Sequence, residues 1–189
     1  MSTQTIVLSL DVKELVTEFL PKMALEYMGL RGMGQELAGT EFSMTVDISG
    51  SQYSFVVKEG KDFNAREGTL DNPMVHLTIT LEDMQKLAQM KNIDMLLSMQ
   101  EALSKTKYNV LASLKGAAVF DLAGNNGNNA VIRATFNGAY APEAKFSLTM
   151  DDARLLTTKQ TNPVNMFMNG TLKIEGDMAF AMQFQPLMA

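Results

Sequence analysis

Few residues of this chain could carry catalytic or metal chemistry. The chain has one histidine, His76, and no cysteine among its 189 residues. A zinc site or a catalytic triad needs several such side chains in a fixed arrangement, which a lone histidine in a strand pattern does not supply. The other candidate is the acidic pair Glu82 and Asp83, because neighbouring carboxylates can share acid and base work.

The acidic pair has a simpler structural explanation. Thr80 can cap a helix predicted over 82–91, and acidic residues in the first turn are stabilised by the positive end of the helix dipole. No nucleophile or metal ligand lies near in sequence. We therefore expect no catalytic residue, no metal site, no cofactor and no enzymatic activity. His76 is interpreted as a surface residue or a satisfied core residue.

Composition narrows the class of partner. The formal net charge is −5, and no block of Lys or Arg occurs, which argues against nucleic acid and against a polybasic membrane anchor. Sixteen residues are methionine, whose flexible side chain fits irregular apolar surfaces. Without cysteine, and without a basic and apolar leader in Met1 to Asp11, the chain is predicted to be cytoplasmic.

Alternating apolar residues predict the sheet that must position any site. Phe42, Met44, Val46 and Ile48 share one face of a first strand, and Ser49-Gly50 provides the turn after it. Further strands are predicted at 53–57, 63–67, 74–80, 131–136 and from 145 onward. Helices are predicted from Asp11, over 82–91 and from Ile93 to about Lys105.

The second half of the chain repeats the pattern of the first. Val119 to Gly124 corresponds to Thr45 to Gly50, and 145–152 corresponds to 75–83. We therefore predict an internal repeat of approximately 42–104 and 117–185. The chain is either one enlarged domain with a longer sheet or two degenerate units. One domain over 1–189 is favoured, because the first unit lacks the closing helix and the second lacks part of the sheet.

The stretch from Asn169 to Met188 is the most informative one. Leu172 and Ile174 indicate a half-buried strand that ends at Gly176, and Asp177 can cap a last helix. The helix is favoured over a strand because no β-branched residue follows Gly176.

From Phe167 to Met182 the chain has the pattern Phe-Met-x-Gly-x-Leu-Lys-Ile-x-Gly-Asp-Met-x-x-Ala-Met. This pattern resembles the C-terminal signature of the sterol carrier protein type-two sterol-binding domain family. The resemblance implies an α+β fold, in which a twisted, mostly antiparallel sheet packs with helices around an apolar tunnel that the last helix lines and closes. The internal repeat departs from the family, whose domain contains the sheet once. The lipid-binding residues that the resemblance implies are Met166, Phe167, Met178, Phe180, Ala181, Met182 and Phe184.

The expected function is non-catalytic binding of a fatty acid, a fatty acyl-CoA or a sterol-like molecule, and transfer of the bound molecule is left open. The alternative is an accessory or oligomerisation domain whose apolar cavity is filled by protein, and an enzyme acting on a lipid is the least favoured hypothesis. The expected partner is a lipid or another long apolar molecule, not nucleic acid. Transient membrane contact and a homodimer are left open.

Overall fold

The computed structural model describes residues 12–19, 21–22, 24–26, 33–87 and 104–188. Its strands form one eight-stranded sheet in the order β3-β2-β1-β4-β6-β5-β7-β8. The strands are β1 (Glu41–Ile48), β2 (Ser51–Lys58), β3 (Asp62–Glu67), β4 (Val75–Ile79), β5 (Gly116–Ala123), β6 (Ala130–Phe136), β7 (Glu143–Thr149) and β8 (Lys173–Gly176). The strands predicted from the alternating residues are confirmed within a few residues at their ends.

The described helices are short. They are α1 (Val12–Glu14), which continues as a π-helix (Leu15–Phe19), α2 (Met33–Glu36), α3 (Leu81–Leu87), α4 (Lys105–Ser113), α5 (Met150–Thr157), α6 (Pro163–Met168), α7 (Met178–Met182) and α8 (Gln185–Met188). A 3₁₀ turn (Asn125–Gly127) joins β5 to β6.

The region around Lys105 differs from the prediction. Lys105 was expected near the end of a helix from Ile93, but it begins α4. Ser104 is the N-cap, and its side chain accepts a hydrogen bond from the backbone N–H of Lys107 at 3.2 Å. None of the side chains of α4 is fully buried, so its sequence carries little of the apolar periodicity that marks a helix. The remainder of the predicted helix, and 88–91 of the one before it, lie outside the described residues.

Pairing within the sheet is mostly antiparallel, as predicted. The exceptions are β1 with β4 and β5 with β7, which are parallel. The other neighbouring pairs are antiparallel, including β4 with β6, the pair that joins the two halves of the chain. The α+β class with a twisted, mostly antiparallel sheet is confirmed.

One face of the sheet carries the core. Register places Phe55, Met44, Val75 and Phe136 side by side across four strands on that face. Helices α3, α5, α6 and α7 bury apolar side chains in the same cluster, which in the helices are Leu87, Met150, Ala153, Leu156, Met166, Phe180 and Ala181. The core therefore lies between this face of the sheet and the helices, where burial of apolar area is the main stabilising contribution.

The opposite face carries a polar row that the chain itself covers. Ser54, Thr45, His76 and Thr135 are neighbours in register. Because β3 lies at the edge of the sheet and β4 lies beyond β1, the connection 68–74 must cross this face. The connection contacts the polar row. The Ser54 hydroxyl donates to the carbonyl of Gly68, and Thr45 Oγ1 accepts from the backbone N–H of Leu70 at 3.2 Å. These bonds satisfy hydroxyls that are almost fully buried.

The two halves share part of their strand topology. Each contains a hairpin and a later strand parallel to the first strand of that hairpin, followed by a capped helix, but the first half has the additional strand β3 between them. Thr80 Oγ1 accepts from the N–H of Asp83 at 3.0 Å, and Thr149 Oγ1 accepts from that of Asp152 at 3.0 Å. The predicted internal repeat and the single domain over 1–189 stay predictions.

Candidate functional site

The C-terminal segment, β8 with α7 and α8, forms the candidate site. Gly176 ends β8 with a positive φ of 89°, and a Cβ there would lie 2.5 Å from the carbonyl oxygen of Glu143. Only glycine therefore fits this approach to the sheet. Asp177 follows as the N-cap, and its Oδ1 accepts from the N–H of Phe180 at 2.8 Å. The predicted order of strand, glycine turn and capped helix is confirmed.

Four of the predicted site residues meet inside the protein. Met166, Phe180, Ala181 and Phe184 are buried in the core cluster against the apolar face of the sheet. Asp177 caps the short helix α7, and Phe184 lies directly after the C-cap residue of this helix, with its side chain in the core.

Phe184 lies at the centre of an aromatic cluster. Its ring centroid is 5.2 Å from that of Phe146, 5.3 Å from those of Phe136 and Phe180, and 6.3 Å from that of Phe120. These distances and the tilted or edge-on geometry are typical of favourable aromatic pairs. The C-terminal segment is therefore held to β5, β6 and β7 by ring contacts.

The other three predicted residues are exposed to solvent. Phe167, Met178 and Met182 are 45%, 44% and 53% exposed. α7 thus has a buried side and a solvent side, although its sequence is apolar nearly all round. The structure divides the predicted set into two groups, and the role of the whole set in lipid binding stays a prediction.

Sequence reasoning missed the partners of the C-terminal segment. Phe120, Phe136 and Phe146 were recognisable as apolar strand residues, but only the register of β5, β6 and β7 brings their rings to one place. Gly116 was also missed. A Cβ on Gly116 would lie 2.7 Å from the ring of Phe180 and 2.5 Å from the carbonyl oxygen of Pro142. A glycine at the start of a strand was the available signal, because it often marks a close approach.

A lysine lies at the end of the same segment. The Lys107 ammonium on α4 donates a hydrogen bond from Nζ to the carbonyl oxygen of Leu187 at 3.0 Å, where α8 packs against α4. Burial lowers the pKa of Lys107, and the nearby positive charge of Lys159 lowers that pKa further. No local pattern indicates this contact, which joins residues far apart in the chain.

His76, for which the sequence predicts no catalytic role, requires one correction. His76 was interpreted as a surface or satisfied residue, but it is half-buried and its Nε2 is a buried atom without a hydrogen-bond partner in the described structure. The reason is its place in the polar row, between Thr45 on β1 and Thr135 on β6.

Asp83 ties α3 to β6. Its carboxylate accepts from Lys86 Nζ at 3.0 Å and from the backbone N–H of Val131 at 3.2 Å. Burial would raise the pKa of Asp83, but these bonds and one to Thr80 outweigh it and lower the pKa below its ordinary value. Among the described residues, no group of three or more acidic or histidine side chains could hold a metal ion, and no helix is long and apolar enough to cross a membrane.

The fold and the C-terminal segment define a class: an α+β domain in which a capped helix packs on the apolar face of a mostly antiparallel sheet. Residues 99–189 match the model of the SCP-2 sterol transfer family. This range contains β5 to β8 and the whole C-terminal segment, and it confirms the resemblance seen from Phe167 to Met182.

Three solved structures are similar at low identity. The solution structure of the sterol carrier protein domain 2 of Helicoverpa armigera is 24% identical, with a TM-score of 0.40, over 55% of this chain and 85% of that one. A UbiJ-SCP2 ubiquinone synthesis protein is 10% identical, with a TM-score of 0.30, over 94% and 96%. The apo form of sterol carrier protein 2 from Yarrowia lipolytica is 11% identical, with a TM-score of 0.25, over 95% and 94%. No curated protein sequence matches this chain.

Proposed function

We propose that this protein binds a lipid with a long apolar body without catalysing a reaction on it. The observation that supports the proposal is the match of residues 99–189 to a sterol transfer family, a range that includes the C-terminal segment. The finer proposal is that a fatty acid, a fatty acyl-CoA or a sterol-like molecule occupies an apolar tunnel beneath α7 and α8, and that the protein transfers it.

Burial of apolar area is sufficient to drive such binding. Each methylene removed from water contributes about 0.8 kcal/mol, so a dozen contribute roughly 10 kcal/mol before association costs are subtracted. Micromolar binding therefore does not require a strong polar anchor. Selectivity among apolar bodies of similar size should be loose, because one methylene more or less changes the binding free energy by only about 0.8 kcal/mol, roughly fourfold in affinity.

The position of Phe184 suggests where the lipid would lie. Its ring lies against Phe120 on β5 and Phe146 on β7, and Met166 on α6 belongs to the same buried cluster. A chain that enters between the C-terminal segment and the sheet would contact these side chains first. Methionine and phenylalanine can repack around an apolar guest, since their contacts depend little on direction.

A second candidate function is favoured by one specific observation. Phe180, Ala181 and Phe184 are buried against other protein side chains, and the rings of the cluster already contact one another. A core filled in this way fits an accessory or oligomerisation domain that uses its own side chains where relatives would hold a ligand.

Native mass spectrometry of the purified protein separates the two candidates. We expect a mass increment corresponding to one co-purified lipid per chain. Delipidated protein should then bind a fluorescent fatty acid saturably. A protein that carries no lipid and binds no probe would refute the lipid proposal, and a lipid-free dimer would favour the second candidate.

A further inference from the structure

The outer side of β8 is one end of the sheet. β8 is the last strand in the sheet order and pairs with β7 on its inner side. Lys173, Glu175 and Gly176 are exposed, and Ile174 is half-buried. A strand at the edge of a sheet presents backbone groups that can pair with a further strand.

The hydrogen-bond ladder determines which backbone groups of β8 face this edge. The N–H of Asp177 donates to the carbonyl oxygen of Glu143 at 2.8 Å, which marks a hydrogen-bonded position between β7 and β8. Such positions occur at every second residue of an antiparallel strand. Glu175, two residues earlier, therefore faces the backbone of its partner Lys145. The N–H and the C=O of Ile174 consequently point away from β7, toward the open edge.

The charges of β8 are complementary to themselves about Ile174. When a second copy pairs antiparallel with Ile174 on the two-fold axis, Lys173 of each copy lies opposite Glu175 of the other. Ile174 then exchanges two backbone hydrogen bonds with its counterpart, and the charged pairs occupy the flanking positions, where side chains are closest. Opposite charges directly across a ladder stabilise the pairing of the strands. Lys145, the inner neighbour of Glu175, already has a salt bridge to Asp121 at 2.7 Å.

Helix α7 adds apolar side chains to the same surface. It packs on β7 and β8, and its Phe180 directs the ring toward Gly116 on β5. Met178 and Met182 each lie two residues from Phe180, about 200° around the helix, so they face away from β5. Both side chains are exposed. In a sheet that continues across two copies of β8, the two α7 helices lie on one face beside the axis, where these methionines are placed to meet.

We propose that this protein forms a two-fold symmetric dimer in which the outer edges of two β8 strands pair antiparallel about Ile174. The pairing covers both edges at once, so association ends at two copies. It needs no bound lipid and goes beyond the proposed function. A strand of four residues and two methionines buries less than the roughly 1,200 to 2,000 Å² of stable complexes, so the dimer is weak and concentration-dependent.

The test reverses one charge at a time. Sedimentation velocity on delipidated protein, from low to high micromolar concentration, gives the dissociation constant of the dimer. Lys173→Glu and Glu175→Lys each place like charges at both charged positions, and each should weaken association by at least about tenfold. An equimolar mixture of the two variants has opposite charges at both positions again. The mixture should therefore form a heterodimer whose dissociation constant is within about threefold of that of the parent.

The matched control is Lys61→Glu. It changes the net charge as Lys173→Glu does, but Lys61 lies in the turn before β3, at the opposite end of the sheet. It should leave the dissociation constant of the dimer within about twofold of that of the parent. Urea unfolding midpoints verify that each variant is folded, as expected for substitutions of exposed side chains.

Three results would each overturn the dimer. They are a parent protein that stays monomeric, a dimer whose dissociation constant is unchanged by the single charge reversals, and two variants that do not associate when mixed. Binding of a fluorescent fatty acid, measured on the same samples, separates this inference from the proposed function. A dimer that binds no lipid contradicts the proposed function alone, and a monomer that binds lipid contradicts the dimer alone.

Discussion

Replacement of Phe184 by alanine measures how tightly the C-terminal segment is packed. The Phe184 side chain is 3% exposed and contacts four other phenylalanine rings. Truncation of a buried phenylalanine lowers the free energy of unfolding by about 3 to 5 kcal/mol, through lost transfer energy and the cavity left behind. Each aromatic pair adds about 0.5 to 1.5 kcal/mol beyond burial, so we expect the upper part of that range.

The matched control is Met182→Ala, two residues earlier on the same segment. Met182 is more than half exposed, so its truncation should change the free energy of unfolding by less than about 0.5 kcal/mol. Urea unfolding, followed by circular dichroism on delipidated protein, gives both values. Lipid must be removed first, because bound ligand raises apparent stability by mass action.

A loss below about 1 kcal/mol in Phe184→Ala, equal to that of the control, would refute the packed aromatic centre. It would mean that the ring borders empty space in the delipidated protein, where truncation removes few protein contacts. A loss of unfolding free energy in the expected range for Phe184→Ala, with a change below about 0.5 kcal/mol for Met182→Ala, would show that the segment is held mainly by its buried side.

Three further predictions concern the surroundings of the segment. Asp177→Ala should lower the free energy of unfolding by about 0.5 to 2 kcal/mol through loss of the cap of α7. Asp177→Asn should retain most of the stability of the parent, because asparagine also caps helices, and urea unfolding midpoints measure both variants. Gly116→Ala should lower the free energy of unfolding by more than about 2 kcal/mol, because the added Cβ meets backbone and the ring of Phe180. The control Gly170→Ala, whose Cβ would have no atom within 4 Å, should lower it less, and thermal unfolding compares the two variants. The lowered pKa of Asp83 stabilises the fold at pH values above 3.8, the ordinary pKa of the group, and this stabilisation should be lost as the pH falls further. In unfolding measured at a series of acid pH values, Asp83→Asn should therefore show a smaller decline of stability than the parent.

The parts of the fold that local sequence determines were predictable. Apolar alternation located β1 and β2, and Ser49-Gly50 marked the hairpin between them. The threonine caps of α3 and α5 were readable because an N-cap depends on a few adjacent residues. The strand, turn and helix around Asp177 followed for the same reason, since glycine and a capping carboxylate act within one turn.

Contacts that depend on register were not predictable. Phe184 meets Phe120, Phe136 and Phe146 only because β5 pairs with both β6 and β7 at one alignment, and a shift of one residue would send these rings to the other face. The exposure of Met178 and Met182 follows from the same packing, which determines the direction in which α7 faces. Lys107 meets Leu187 across 80 residues, a separation that no local pattern encodes.

The antiparallel pairing of β4 with β6 has a consequence for solubility. In the described sheet it alone links the strands of the first half to those of the second, which is the part that matches the SCP-2 family. Without the first half, the five residues of β6 that pair with β4, Ile132 to Phe136, would lie along an open edge of the sheet, and open edges can promote aggregation. The outer edges of the complete sheet are less hazardous, because β8 has only four residues and β3 carries charges at both ends. The first half of the chain thus covers this edge of the second half through the pairing of β4 with β6.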